Sequence, residues 1–150
     1  MEESQEQQQP KRTLKDVFLA KRKAFSKEIY DSVQLLEDLR SLPKVQVTFF
    51  SLRQRVLEEN HILMEHFIDK KKTFRERKGE EWIDASTKSQ KFYNSTEKAT
   101  IVDGRTALLK EAMELIEGQI AFYSDTIKTI DAVLFGLKTR IDMQKMLEGH

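Results

Sequence analysis

The chain has 150 residues, 34% charged and 39% apolar, with 2 Pro, 5 Gly and no Cys, and a formal net charge of +1. That balance fits a single domain of long, solvated helices and excludes a turn-rich β fold and a globally basic, histone-type binder; the lack of cysteine fits any redox compartment. No apolar run approaches the roughly 18 residues of a membrane span and no charged-then-apolar leader opens the sequence, so a soluble, cytoplasmic protein is expected.

Residues 1–12 begin with one apolar side chain and a Gln run, too little to bury, and are expected to form a disordered tail ahead of a single helical domain over 13–150. Thr13 followed by Asp16 is a capping-box-like start. Leu14, Val17, Phe18, Phe25, Ile29, Val33, Leu36 and Leu39 then keep mostly to three- and four-residue spacing, which predicts a first helix from about 14 to 41. Pro43 lacks an N–H and pushes Leu42 out of the α region, so it should end that helix and leave a short hinge to an antiparallel neighbour.

Phe49, Leu52, Val56, Leu63, Phe67 and Phe74 mark the apolar face of a second helix running to Lys78, with Gly79 placed for a left-handed C′ position. Its last two turns carry six basic side chains in nine residues: Lys70, Lys71, Lys72, Arg75, Arg77 and Lys78. Positive potential is thus concentrated in a nearly neutral chain, which points to an anionic partner. The competing account is that cations at a helix C-terminus complement the macrodipole, an effect of about 0.3–1 kcal/mol. Phase and company favour function. Lys70, Lys71, Phe74, Arg77 and Lys78 continue one helical side, and Phe67, Phe74, Trp82, Phe92 and Tyr93 supply aromatic faces, the two elements that single-stranded nucleic acid needs. Most aromatics at helical spacing pack inward, and Phe67 in particular reads as core.

From Glu80 to about Phe92 the period fails, predicting a loop or short irregular helix anchored by Trp82. The third helix can begin at Asn94, with Glu97 completing a cap, or at Asp103-Gly104. Beyond it Leu109, Met113, Ile116, Ile120, Tyr123, Ile127, Ile130, Leu134, Leu137 and Ile141 form an uninterrupted heptad seam. A second row of Leu108, Ala112, Leu115, Phe122, Val133 and Phe135 widens it. At a rise of 1.5 Å per residue the seam is about 50 Å long, more than two helices of one small domain are expected to cover. Self-association through Ile116, Ile120, Tyr123, Ile127, Ile130, Leu134, Leu137 and Ile141 follows as an expectation. The fold class expected is all-α: a helical hairpin plus a long C-terminal heptad-repeat helix, assembling into a homo-oligomer.

Glu58 and His61 match half of the carboxylate–histidine pattern of di-iron bundles, but no second pair accompanies them and His66 and His150 fall outside it. A solvated surface is the better account. No HExxH, GxSxG, phosphate-binding glycine loop or dinucleotide fingerprint occurs, so catalysis is not expected.

Leu14-Lys15-Asp16-Val17-Phe18, the stretch from Ile120-Ala121-Phe122-Tyr123 to Leu137-Lys138-Thr139-Arg140, and Phe92-Tyr93-Asn94-Ser95 together resemble the UvsY-like recombination mediator proteins of T4-type phages. The first matches a KDVF opening, the second an LQYW-to-IKSR stretch without gaps, and the likeness extends over most of residues 14–147. It implies a non-catalytic protein without cofactors that forms a ring-shaped homo-oligomer, a hexamer or heptamer. Such a protein binds single-stranded DNA non-specifically and loads a RecA-type recombinase (UvsX-like) onto DNA covered by single-strand-binding protein, in the host cytoplasm if phage-encoded. The family's DNA-binding motif, LKARLDYY, falls on Phe67 to Phe74. Lys70 takes the place of its Arg and Phe74 that of its last Tyr, while Ile68 replaces its Lys, with Lys71 and Lys72 available to restore the charge. The resemblance also makes Lys138 and Arg140 a secondary basic pair. The alternative is a helical structural or chaperone-like oligomeric adaptor whose seam binds partner helices and whose basic run only solubilises.

Overall fold

The computed structural model describes residues 11–88 and 92–149. Among them the chain is all-helical, with no strand. Helix α1 spans Leu14–Gln34, α2 Leu42–Thr87 and α3 Ser95–Glu148. Apart from Lys11 and Arg12, the tail expected over residues 1–12 lies outside the described residues, as does His150.

The two predicted caps form. Asp16 N–H donates to Thr13 Oγ1 at 3.2 Å while Thr13 N–H donates to the Asp16 carboxylate at 3.0 Å. Asn94 and Glu97 exchange the same pair at 2.8 and 3.0 Å. α3 therefore begins at Ser95 and runs through Gly104 without a break.

Two boundaries differ from the sequence expectation. The first α-helix stops at Gln34, and residues 35–41 form two single 3₁₀ turns rather than its continuation. Asp38 accepts from Arg40 N–H, and the Ser41 hydroxyl donates to the Leu35 and Asp38 carbonyls, so local side-chain bonds replace the helical ladder there. Pro43 lies in the first turn of α2, where its missing N–H needs no partner, and so opens α2. The second difference is larger. α2 does not end at Lys78; it passes through Gly79, which keeps a negative φ, and continues to Thr87. A mid-helix glycine costs about 1 kcal/mol relative to alanine. Burial of Ala85 and the ion pairs from Glu81 and Asp84 to Arg105 of α3 offset that cost.

α2 and α3 run antiparallel as a hairpin. Arg53 pairs with Asp131 near one end, Lys78 with Asp103 and Glu81 with Arg105 near the other, so residue numbers fall along α3 as they rise along α2. At 1.5 Å per residue the helices are about 70 and 80 Å long, which is why α2 can run along the seam. Phe49, Leu52 and Val56 of α2 bury against Tyr123, Ile130, Leu134 and Leu137 of α3, with Phe25 of α1 joining the same core. The length of the seam therefore does not require self-association: Ile116, Tyr123, Ile130, Leu134 and Leu137 are buried within the chain. Ile120, Ile127 and Ile141 remain half-buried. The second row also divides, with Phe122 and Val133 packed on the core and Leu108 and Phe135 exposed at 82% and 75%.

α1 lies along one side of the hairpin. The Phe25 and Tyr123 rings meet edge to face, centroids 5.9 Å apart. Arg22 Nε donates to the Gln119 side-chain carbonyl at 2.7 Å and its guanidinium sits over Phe122; Lys21 pairs with Glu59 at 2.6 Å, and Arg55 pairs with Glu28. These half-exposed ion pairs contribute about 0–1 kcal/mol each. Apolar burial holds the bundle. Phe49→Ala should cost about 3–5 kcal/mol in urea unfolding, while Phe135→Ala, on the exposed second row, should stay within about 0.5 kcal/mol of the parent.

Candidate nucleic-acid interface

α1 covers only part of the hairpin. Its first residues, Leu14 and Phe18, reach the level of Ile62 to Lys70 on α2 and Ala112 to Tyr123 on α3. Beyond that level α2 and α3 continue as a two-helix arm, and the basic run lies on it. Because α2 extends to Thr87, Lys78 stands more than two turns from the helix end. Macrodipole effects fade within the last turn, so complementing the dipole cannot be what the cluster does.

Phe67 and Phe74 are half-buried and mark the side of the arm facing α3. At about 100° per residue, Lys70 and Arg77 fall on one flank of Phe74, Lys71 and Lys78 on the other, and Lys72 and Arg75 turn outward. Lys70, Lys71, Arg77 and Lys78 thus lie within about 60° of Phe74 on the helix, and only Lys72 and Arg75 fall outside that side. All six are exposed. Arg77 pairs with Glu81 at 3.2 Å and with Glu80 at 3.7 Å, and Lys78 approaches Asp103 at 3.9 Å. Lys71 sits over the Phe67 ring at 6.0 Å and Lys78 over Phe74 at 5.8 Å. Lys70, Lys71, Lys72 and Arg75 make no ion pair among the described residues. These four can neutralise phosphates without first breaking an internal bridge.

Phe74 is not a free stacking platform. Its ring is half-buried and lines a cavity with Lys78, Lys110, Asp103, Glu111 and Glu114, where three carboxylates face two cations. That cavity is less favourable to a phosphate chain than the exposed cations outside it. Ile68 is 65% exposed one turn before Lys71 and Lys72, so the departure at its position adds an apolar spot to the cationic surface. Trp82 is exposed at the end of α2, and Phe92 and Tyr93 stand just before α3; neither Phe67 nor Trp82 is fully buried core.

Lys138 and Arg140 are not brought to this surface. The antiparallel register places them near the start of α2, about 40 Å from Lys70 at 1.5 Å per residue. Arg140 Nη1 instead donates to the Leu36 carbonyl at 3.3 Å, closing the 3₁₀ turns. Glu58 and His61 are both exposed, and Glu58 accepts from Gln54 Nε2 at 3.1 Å. Among the described residues no three His, Asp or Glu side chains gather as a metal site, and no helix is long and apolar enough to cross a membrane.

Sequence reasoning missed the cavity at the start of α1, where Lys70 and His66 of α2 meet Lys21 of α1. Three separate segments build it, so no local pattern announces it.

The arm is clasped at its tip. Arg105 Nη1 lies 2.9 Å from both Glu81 and Asp84, and Lys88 pairs with Asp84 at 3.4 Å. The Arg105 hydrogen bond, seconded by Lys88, holds the Asp84 carboxyl below its ordinary value. A carboxylate with a depressed folded-state pKa stabilises fully above its unfolded pKa, about 4, and that contribution is lost as the pH falls through the folded value. Amide hydrogen exchange at Asp84 to Lys88 should therefore accelerate relative to the Phe49–Val56 segment as the pH drops below about 4, after correction for intrinsic rates. Arg105→Ala should produce the faster relative exchange already at neutral pH and flatten its acid dependence. No protein-family model, curated protein or solved structure matches this chain.

Proposed function

We propose that the protein is a non-catalytic, sequence-indifferent single-stranded DNA-binding protein whose contact surface is the cationic arm. The observation that carries this reading is the exposed set Lys70, Lys71, Lys72 and Arg75, unpaired among the described residues on a part of α2 that α1 leaves uncovered. Arg77 and Lys78 add charge while already engaged with acids, so they are secondary. Phosphates supply the affinity, through release of condensed counterions, and sequence indifference follows because phosphate contacts carry no base information.

The resemblance extends this reading to recombination mediation: the bound strand is presented to a RecA-type recombinase (UvsX-like) while single-strand-binding protein is displaced. It also supplies the ring, a hexamer or heptamer without cofactors, in which arms of several subunits would hold one strand. The half-buried remainder of the seam, Ile120, Ile127 and Ile141, supports such an assembly, because these side chains retain apolar surface for a second copy. A specific observation favours the alternative, a helical structural or chaperone-like adaptor: Asp103, Glu111 and Glu114 line one flank of the arm and reduce its net potential.

One substitution set separates the two. Lys70→Ala, Lys71→Ala and Lys72→Ala together should abolish oligo-dT binding in fluorescence anisotropy while leaving helix content and native mass unchanged. An adaptor without nucleic-acid binding has no affinity to lose. For the parent protein, four phosphates neutralised at roughly 0.7 counterion each give a log–log salt slope near −3, or about a thousandfold weaker binding between about 50 and 500 mM salt. Affinity that hardly changes over that range contradicts the electrostatic reading.

A further inference from the structure

Two cavities flank the basic run, and they differ in sign. The one beside Phe74 has three carboxylates against two cations. The other opens where α1 begins, at the junction between the three-helix bundle and the arm, with a volume of about 450 Å³. Leu14, Phe18, Ile62 and Ile116 wall it. Lys70 and His66 stand at its rim on α2, and the Lys21–Glu59 ion pair lies on its polar side. Around the same end of α1 the chain carries Lys11, Arg12 and Lys15, all exposed. The cations that line the cavity, Lys21 and Lys70, thus come from two separate segments.

We infer that this cavity receives a base of a single strand whose phosphates lie on the basic run. The inference rests on the reading of the arm as a single-strand site and deepens it by naming where a base goes. Three features of the cavity select that occupant. Its volume is within the roughly 300–1,000 Å³ range of small-molecule sites, ample for a planar base. Its walls are apolar, so a base face leaving water is favoured there. Its polar side offers an ammonium donor and a carboxylate acceptor, 2.6 Å apart, so the edge of any base finds a partner and no one base is selected.

The charge pattern fixes which strand enters. A phosphodiester chain reaching the cavity passes Lys70 and Lys21 against the single carboxylate of Glu59, whereas one reaching Phe74 meets Asp103, Glu111 and Glu114 against Lys78 and Lys110. Base capture beside Lys70 thus supplies the apolar contribution that the half-buried Phe74 ring is poorly placed to give. It also explains why the arm projects from the end of the bundle where α1 starts: Leu14 and Phe18 complete a wall that α2 and α3 lack by themselves.

The test compares the full-length protein's affinity for oligo-dT with that for an abasic tetrahydrofuran oligomer of the same length, which keeps every phosphate. Oligo-dT should bind tighter by about tenfold or more, with the same salt slope for both strands. Ile62→Glu is placed at an exposed wall position and should keep helix content while bringing the ratio of the two affinities close to unity. The ratio is the readout because the added charge weakens both strands alike. Equal affinities for the two strands, or a ratio unchanged by Ile62→Glu, overturn base capture while leaving the cationic arm intact. Binding of neither strand overturns the arm as well.

Discussion

Burial of the α3 seam along α2 is the constraint on which everything else depends. Phe49, Leu52 and Val56 close over Tyr123, Ile130, Leu134 and Leu137, and this pairing sets the register of two helices that each extend well past the covered core. Exposed pairs such as Arg53–Asp131 follow that register and add little, because screening and side-chain entropy offset most of the Coulomb gain. A slip by one turn would keep the apolar faces opposed but mismatch the large and small side chains that meet across them, a packing loss that exposed bridges do not offset.

The inequality of helix lengths turns that pairing into a bundle with a projecting arm. α1 has 21 residues against 46 and 54 in α2 and α3, so it can cover only one part of the hairpin. Past the first residues of α1 the arm begins, and the cations of α2 stand in solvent there. Arg22 to Gln119 and Lys21 to Glu59 hold α1 near that boundary, through one buried amide and one half-exposed carboxylate. The tip of the arm has almost no apolar core of its own beyond Val102 and Ala85, so the Arg105 cluster has more to do there than a similar cluster on the bundle would. An arm with so little core is expected to open locally before the bundle does.

Much of this is legible in the sequence. Both capping boxes and the heptad phase of α3 depend on residues within one or two turns of each other, and each forms as the pattern indicates. The end of α2 is not legible, because Gly79 is a helix terminator only when nothing distant holds the next turns; Arg105, 24 residues on from Glu81, does so. The seam reads correctly as buried, but the sequence pattern assigns its partner to other subunits, and α2 of the same chain takes that place. Periodicity reports which side of a helix is apolar and carries no information about whether the covering helix belongs to the same chain. The basic run is visible at once, whereas the cavity beside it is not, since Leu14, Ile62 and Ile116 are far apart along the chain.

By itself the sequence determined an all-helical chain, its first cap, its apolar seam and a concentration of positive charge at residues 70–78, with two candidate starts for α3, all consequences of local stereochemistry and short-range spacing. Only the tertiary structure decided what those features face. Long-range packing carried α2 past its glycine and placed the basic run in mid-helix, away from any helix end. It buried Ile116, Tyr123, Ile130, Leu134 and Leu137 of the seam within the chain, left Lys138 and Arg140 at the far end, and set an apolar cavity beside Lys70. The physical reason is that burial depends on which surfaces meet, and α1, α2 and α3 meet at positions dozens of residues apart.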